Sequence, residues 1–175
     1  MSERHVTVRL ARPGEYTRIG ELTVGVYTRG GLITPGSSYL HTLADAADRA
    51  AKAELLVAEV DGEIVGAVAY APPDSPYAEL AAPDEGEFRM LVVLESSRGN
   101  GVGRALVQEC ADRARRAGLV ALRLSTQPNM RAAQRLYERM GFTRTPELDW
   151  SPVEGVTLLT YVLDLKPAEG GVRPS

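Results

Sequence analysis

The 175-residue sequence is short of several things, and each shortage closes off a class of function. Cys110 is its only cysteine, so no intramolecular disulfide and no cysteine-based metal cluster is available, and a reducing compartment suits the chain. The two histidines, His5 and His41, stand at no metal-ligand spacing, so no metal site is expected. Positive charge is not in excess. A formal net charge of -3 argues against nucleic acid as the main partner, because duplex binding neutralises phosphates with a basic face. Long apolar runs are also missing. The longest, Ile64–Ala71, is broken by Gly66 and falls far short of the roughly 20 residues of a membrane span. Met1–His5 leads straight into Val6–Leu10 with no apolar stretch of signal type. A soluble, cytoplasmic protein with no membrane partner is the expectation. Lysine is scarce beside arginine, with Lys52 and Lys166 alone, which reads as codon bias.

The length suits one domain, over residues 1–166, with Pro167–Ser175 an apolar-poor tail expected to be disordered. Val6, Val8 and Leu10 alternate with Thr7 and Arg9, the period of a half-buried strand. Pro13 opens a helix with Ile19, Leu22 and Val26 on one face, and Thr28–Ser38 holds too many glycines and prolines to continue it. Leu40, Leu43 and Ala47 predict a second helix. Asp61-Gly62, flanked by the apolar runs Glu54–Val60 and Glu63–Ala71, predicts a tight hairpin. Pro72–Gly86, carrying Tyr77, reads as a surface loop before a strand over Glu87–Leu94. Val102, Leu106, Cys110 and Ala114 recur every four residues along a helix that ends before Gly118. Val120–Ser125 reads as a strand, and Asn129 as the N-cap of a helix whose inner face is Ala133, Leu136, Tyr137 and Met140. Phe142–Trp150 and Val156–Leu165 read as a closing strand pair. This order predicts an α/β protein with a mixed sheet and helices on its faces.

The most informative stretch is Arg98-Gly99-Asn100-Gly101-Val102-Gly103, at the junction of a strand and a helix. Glycines there bring backbone amides close to a ligand, and the helix N-terminus and Arg98 add positive charge, so a phosphate or diphosphate is the expected guest. The dinucleotide spacing Gly-x-Gly-x-x-Gly fails, with Arg104 or Leu106 where the third glycine belongs. No lysine follows the glycines, so the triphosphate-binding loop fails too.

A second cluster, Asn129 to Phe142 with Ala132, Ala133, Tyr137 and Gly141 between them, narrows the choice. With Arg98, Gly101 and Gly103 it resembles the two signatures of the GNAT superfamily of CoA-dependent acyltransferases, and the resemblance covers about Val6 to Leu165. It implies the GNAT acyltransferase fold, a mixed, mostly antiparallel sheet flanked by helices. It also implies acetyl-CoA as co-substrate, with phosphates on the amides of Arg98–Gly103 and the pantetheine arm beside Leu91, Val92 and Val93. Arg104, Asn129 and Ala132 join that cofactor set. A primary amine of a small molecule, or of an amino acid or peptide, is the implied acceptor, attacking the thioester directly. An amide near Val92 or Val93 serves the oxyanion, Tyr137 is the general acid, and Glu87 is the candidate base, with Glu85 or Asp84 as substitutes. The acidic residues Asp74, Glu79, Asp84, Glu85 and Glu87 are expected to favour a cationic acceptor. Arg131 and Arg135 are read as solvated, and Asp149-Trp150 as edge packing. Dimers are frequent in the family, so a homodimer is an open expectation. A non-catalytic acyl-CoA-binding sensor is the alternative.

Overall fold

Asp-Gly between two apolar runs makes a tight turn, and the sheet grows from that hairpin on both sides. In the computed structural model, which describes residues 5–165, β2 (Glu54–Val60) and β3 (Glu63–Ala71) are joined by Asp61 and Gly62 at φ of 52° and 80°. Such left-handed pairs match the twist of the flanking strands. β1 (Thr7–Leu10) pairs with β2, and β4 (Glu85–Val93) pairs with β3, both antiparallel. The chain then crosses over through α4 (Val102–Arg116) to β5 (Ala121–Thr126), which lies parallel to β4. β8 (Val156–Asp164) runs antiparallel to β5, and the short β6 (Thr143–Arg144) and β7 (Trp150–Val153) pair with β8. The order β1-β2-β3-β4-β5-β8-β6 has one parallel contact, so the sheet is mixed and mostly antiparallel as expected. The expected tail, Pro167–Ser175, lies outside the described residues.

Two apolar layers hold the sheet. α1 (Tyr16–Arg29) buries Ile19, Leu22 and Val26 against Leu55, Val57 and Val92 on one face. On the other, α4 buries Val102, Leu106, Cys110 and Ala114, with α5 (Arg131–Arg139) beside it contributing Tyr137. Each fully buried leucine, such as Leu106 or Leu122, stabilises the fold by roughly 1.5–3 kcal/mol. Cys110 is among them, and burial pushes its thiol well above the usual range, as an inert packing residue requires.

Several expectations are corrected. The single helix expected around Leu40–Ala47 is two, α2 (Tyr39–Ala44) and α3 (Ala46–Lys52), because the Asp45 carboxylate caps α3 by accepting from the Asp48 amide. Ala47 is consequently exposed, while Leu43 and Ala46 are buried. The Pro72–Gly86 segment is more than a surface loop. Ser75 and Tyr77 are buried, with the Tyr77 hydroxyl donating to Asp48, and β4 already starts at Glu85. Asn129 is not a cap: Met130 takes that place, without a side-chain bond. Phe142–Trp150 is not one strand, since Pro146 opens a 3-10 turn, Pro146–Leu148, between β6 and β7.

Candidate functional site

The site begins where β4 parts from β5. The two strands pair only from Glu85 with Ala121 to Phe88 with Leu124. Beyond that point β4 carries an extra residue against β3, whose register passes from Ala69 with Arg89 to Ala67 with Val92. The bulge centres on Met90, a non-glycine residue at φ 57°, a conformation costing on the order of 1–2 kcal/mol. It also reverses the alternation of the strand: Phe88 packs on the α4 side, Met90 and Val92 on the α1 side. The Leu94 amide donates to the Val65 carbonyl, so by alternation the Val92 amide faces β3 and the Val93 amide faces the open edge. Of the two candidate oxyanion donors, Val93 is the one turned towards the split.

Two cavities meet there. One, of about 510 Å³, runs between the glycine junction and α5, while the other, of about 700 Å³, opens among α1, β4, β5 and the β7–β8 hairpin. Leu32, Leu91, Asn129 and Met130 line both. The smaller cavity collects Leu91, Val92, Val93, Arg98, Gly99, Gly101, Val102, Gly103, Arg104, Asn129 and Ala132. Asn100 is not on its wall and instead donates to the Ser97 carbonyl, closing the turn.

This smaller cavity is built for an anion. The amides of Gly99 to Arg104 are hydrogen-bonded to no other described residue. Arg98 does not belong to that free run, because its amide donates to Glu95, so the cradle begins one residue later than expected. Gly99 and Gly101 stand at φ of 82° and 78°, which turns successive amides the same way before α4 begins. Arg98, Arg104, Arg131 and Arg139 line the wall, no acidic residue does, and none of the four is in an ion pair with a described residue. Arg131 is therefore a wall residue, Arg135 is not, and Arg139 was missed. Its position two turns beyond Arg131 on one helix was the available signal. The chain carries a net negative charge, yet this groove is positive. The narrow floor matters as well, since a Cβ on Gly103 would lie 3.3 Å from Leu136 and 3.7 Å from Val93. Ala133, Leu136 and Met140, expected to be core, are half-buried, the first two because the α5 face they share looks partly into this groove.

Tyr137 lines the larger cavity, with its ring packed against Phe88 and Phe142 at 5.8 Å and Tyr161 at 6.0 Å. Burial raises its pKa well above that of an ordinary phenol, so it holds its proton. Glu87 lies elsewhere. It is fully buried and lines neither cavity, one oxygen accepting from the Leu80 and Ala81 amides at 2.7 and 3.1 Å, the other without a partner. Burial pushes its carboxyl up to about 7 against those two bonds. Glu85 is paired with Arg123 at 2.7 Å, and neither it nor Asp74, Glu79 or Asp84 reaches the cavity walls. Asp149 bonds Arg144 and Thr160, the edge packing expected of it.

Solved acetyltransferases share this architecture. A GNAT-family acetyltransferase from Staphylococcus aureus Mu50 superposes with a TM-score of 0.74 at 13% identity, covering 93% of this chain and 100% of that one. PaiA N-acetyltransferase from Thermoplasma acidophilum, solved in complex with coenzyme A, gives 0.70 at 12% identity over 89% and 98%. In sequence, residues 27–142 match the profile of the acetyltransferase (GNAT) family, and the chain belongs to that family. It is 37% identical over 89 residues to the Xenopus tropicalis protein described as probable N-acetyltransferase camello, covering 51% of this chain. It is 31% identical over 78 residues to N-alpha-acetyltransferase 30 of Schizosaccharomyces pombe, covering 45% of this chain. These matches span 38% and 52% of the two relatives' own lengths.

Proposed function

We propose that the chain is an N-acetyltransferase that moves an acetyl group from acetyl-CoA to a primary amine of a small molecule, in a ternary complex. The observation that carries this reading is the meeting of a basic, amide-lined groove and a second cavity at the split of β4 and β5. The groove fits a CoA diphosphate: five residues of the free-amide run, Gly99 and Gly101–Arg104, and four unpaired arginines line it, with no carboxylate to repel it. The Thermoplasma acidophilum structure of the same fold, solved with coenzyme A, supports the same assignment.

Bound acetyl-CoA would supply a thioester already activated towards a neutral amine, the C–N bond forming as the C–S bond breaks. The chain's own groups have three tasks. Gly99–Arg104 and the arginines fix the donor, so that attack is effectively unimolecular. The Val93 amide, rigid in its strand, donates to the carbonyl oxygen as it gains charge. Tyr137 Oη–H, kept protonated by its surroundings, donates to the departing sulfur. The amine's proton leaves to water in the open cavity or, by a water relay, to Glu87, whose carboxyl has a suitable proton affinity but no atom on the wall.

Release of thiol from acetyl-CoA in the presence of a panel of amines tests this reading, with the acetylated amine identified by its mass. Glu87 has its own test. If it accepts the proton, kcat/KM falls below pH 7 in the native chain, and Glu87→Gln loses that limb together with most of the rate. A limb unchanged in the variant removes Glu87 from the reaction.

A further inference from the structure

We infer that the acceptor amine also carries a compact oxyanion, a carboxylate or its equivalent, which the Arg89 guanidinium binds in the larger cavity. This rests on the acyl-transfer reading of the same site. Among the described residues Arg89 is the only cation on that wall, and Glu154, exposed at the rim, the only carboxylate. The acids expected to draw a cationic acceptor all lie off the wall, so beside Arg89 none of them is there to bind a second cation.

Arg89 is positioned and yet unspent. Its Cζ lies 5.7 Å from the centre of the Tyr77 ring and 5.8 Å from that of Trp150, rings from two distant segments of chain. Both rings are themselves fixed, Tyr77 by donating its hydroxyl to Asp48 and Trp150 by donating its indole N–H to Ser125. None of the guanidinium N–H groups of Arg89 is hydrogen-bonded to a described residue and it makes no ion pair, although the Glu87 carboxyl is near enough to feel its charge. Glu87, two residues before it on the strand, is engaged by the Leu80 and Ala81 amides instead. Rings take a guanidinium by its faces and leave its edge donors, which match a carboxylate in a two-pronged fork. Arg89 also stands two residues from Leu91, where the cavities join, no more than roughly 7 Å along a strand that bulges at Met90 between them. That interval suits a small molecule whose amine and carboxylate are a few bonds apart.

The experiment compares matched acceptors, each amino acid against the amine left when its carboxylate is removed, in the native chain and in Arg89→Gln. The native chain should favour the carboxylate-bearing member by about tenfold to a hundredfold in kcat/KM. Arg89→Gln should bring that ratio close to one, mainly through the acceptor KM with the KM for acetyl-CoA unmoved, and Arg89→Lys should recover part of it. Should Arg89→Gln fail to fold, simple carboxylates lacking an amine must still inhibit the native chain competitively against acceptor. A native ratio near one, or a ratio that survives Arg89→Gln, overturns the inference while leaving acyl transfer intact. No thiol release with any amine of either kind sinks both.

Discussion

Tyr137 packs in the core and is proposed as the general acid, and a substitution separates the two roles. Tyr137→Phe keeps the ring among Phe88, Phe142 and Tyr161 and removes only the hydroxyl. Turnover should fall by about a hundredfold with CoA affinity unchanged, and an unaltered rate would leave Tyr137 as packing alone. Glu87 makes a pH prediction. Its folded pKa of about 7 stands above the ordinary value, so the neutral acid contributes stability that is fully present below about pH 4.5 and lost as pH rises through 7. Urea unfolding at pH 5 and pH 8 should show this loss, up to about 3 kcal/mol, and Glu87→Gln should abolish it. An equal drop in both proteins would contradict the assignment. At this scale the glycines and Tyr137 were legible because they form motifs. Arg89 and Arg139 were not, because a single arginine has no pattern, and only the folded chain reveals that neither forms an ion pair with a described residue.

The glycine junction and α4 act as one element, an anion cradle with a helix N-terminus behind it. Gly101→Glu tests it directly. A Cβ there would meet nothing within 4 Å, so the variant has room, though the φ of 78° costs on the order of 1 kcal/mol. A carboxylate at the cradle should weaken CoA binding at least about a hundredfold, measured by calorimetric titration, and normal affinity in a folded variant would move the site elsewhere. Elements with strong local signals were readable in advance: the Asp61-Gly62 hairpin and the α4 repeat of Val102, Leu106, Cys110 and Ala114 appear where expected. Breaks were harder. Asp45 caps its own helix and Pro146 interrupts a strand, both through local geometry that periodicity does not register. The free run of amides shifted by one residue for the same reason, since the Arg98 amide finds Glu95 only once the 3-10 turn Glu95–Ser97 has formed.

Across the whole molecule, the decisive feature is a sheet that opens in its middle. Antiparallel β1–β4 and the β5–β8 group are joined through four residue pairs, Glu85 to Phe88 against Ala121 to Leu124. Past them the Met90 bulge turns β4 away, and both cavities reach the gap. No local pattern announces this opening, because it depends on which strands become neighbours; the family resemblance supplied the fold, while the split and its charges came from the folded chain. Separation of charge has a similar origin, a positive groove on an acidic chain made by Arg98, Arg104, Arg131 and Arg139 drawn from two helices and a turn. The central claim is that a donor in this groove meets an amine across the split. Incubating the chain with acetyl-CoA and a broad amine panel, and following thiol release with mass analysis of each amine, tests that claim most directly. The expected result is stoichiometric thiol and acetylated amine for a subset of the panel. Tight CoA binding with no turnover on any amine would contradict it and identify a sensor of acyl-CoA instead.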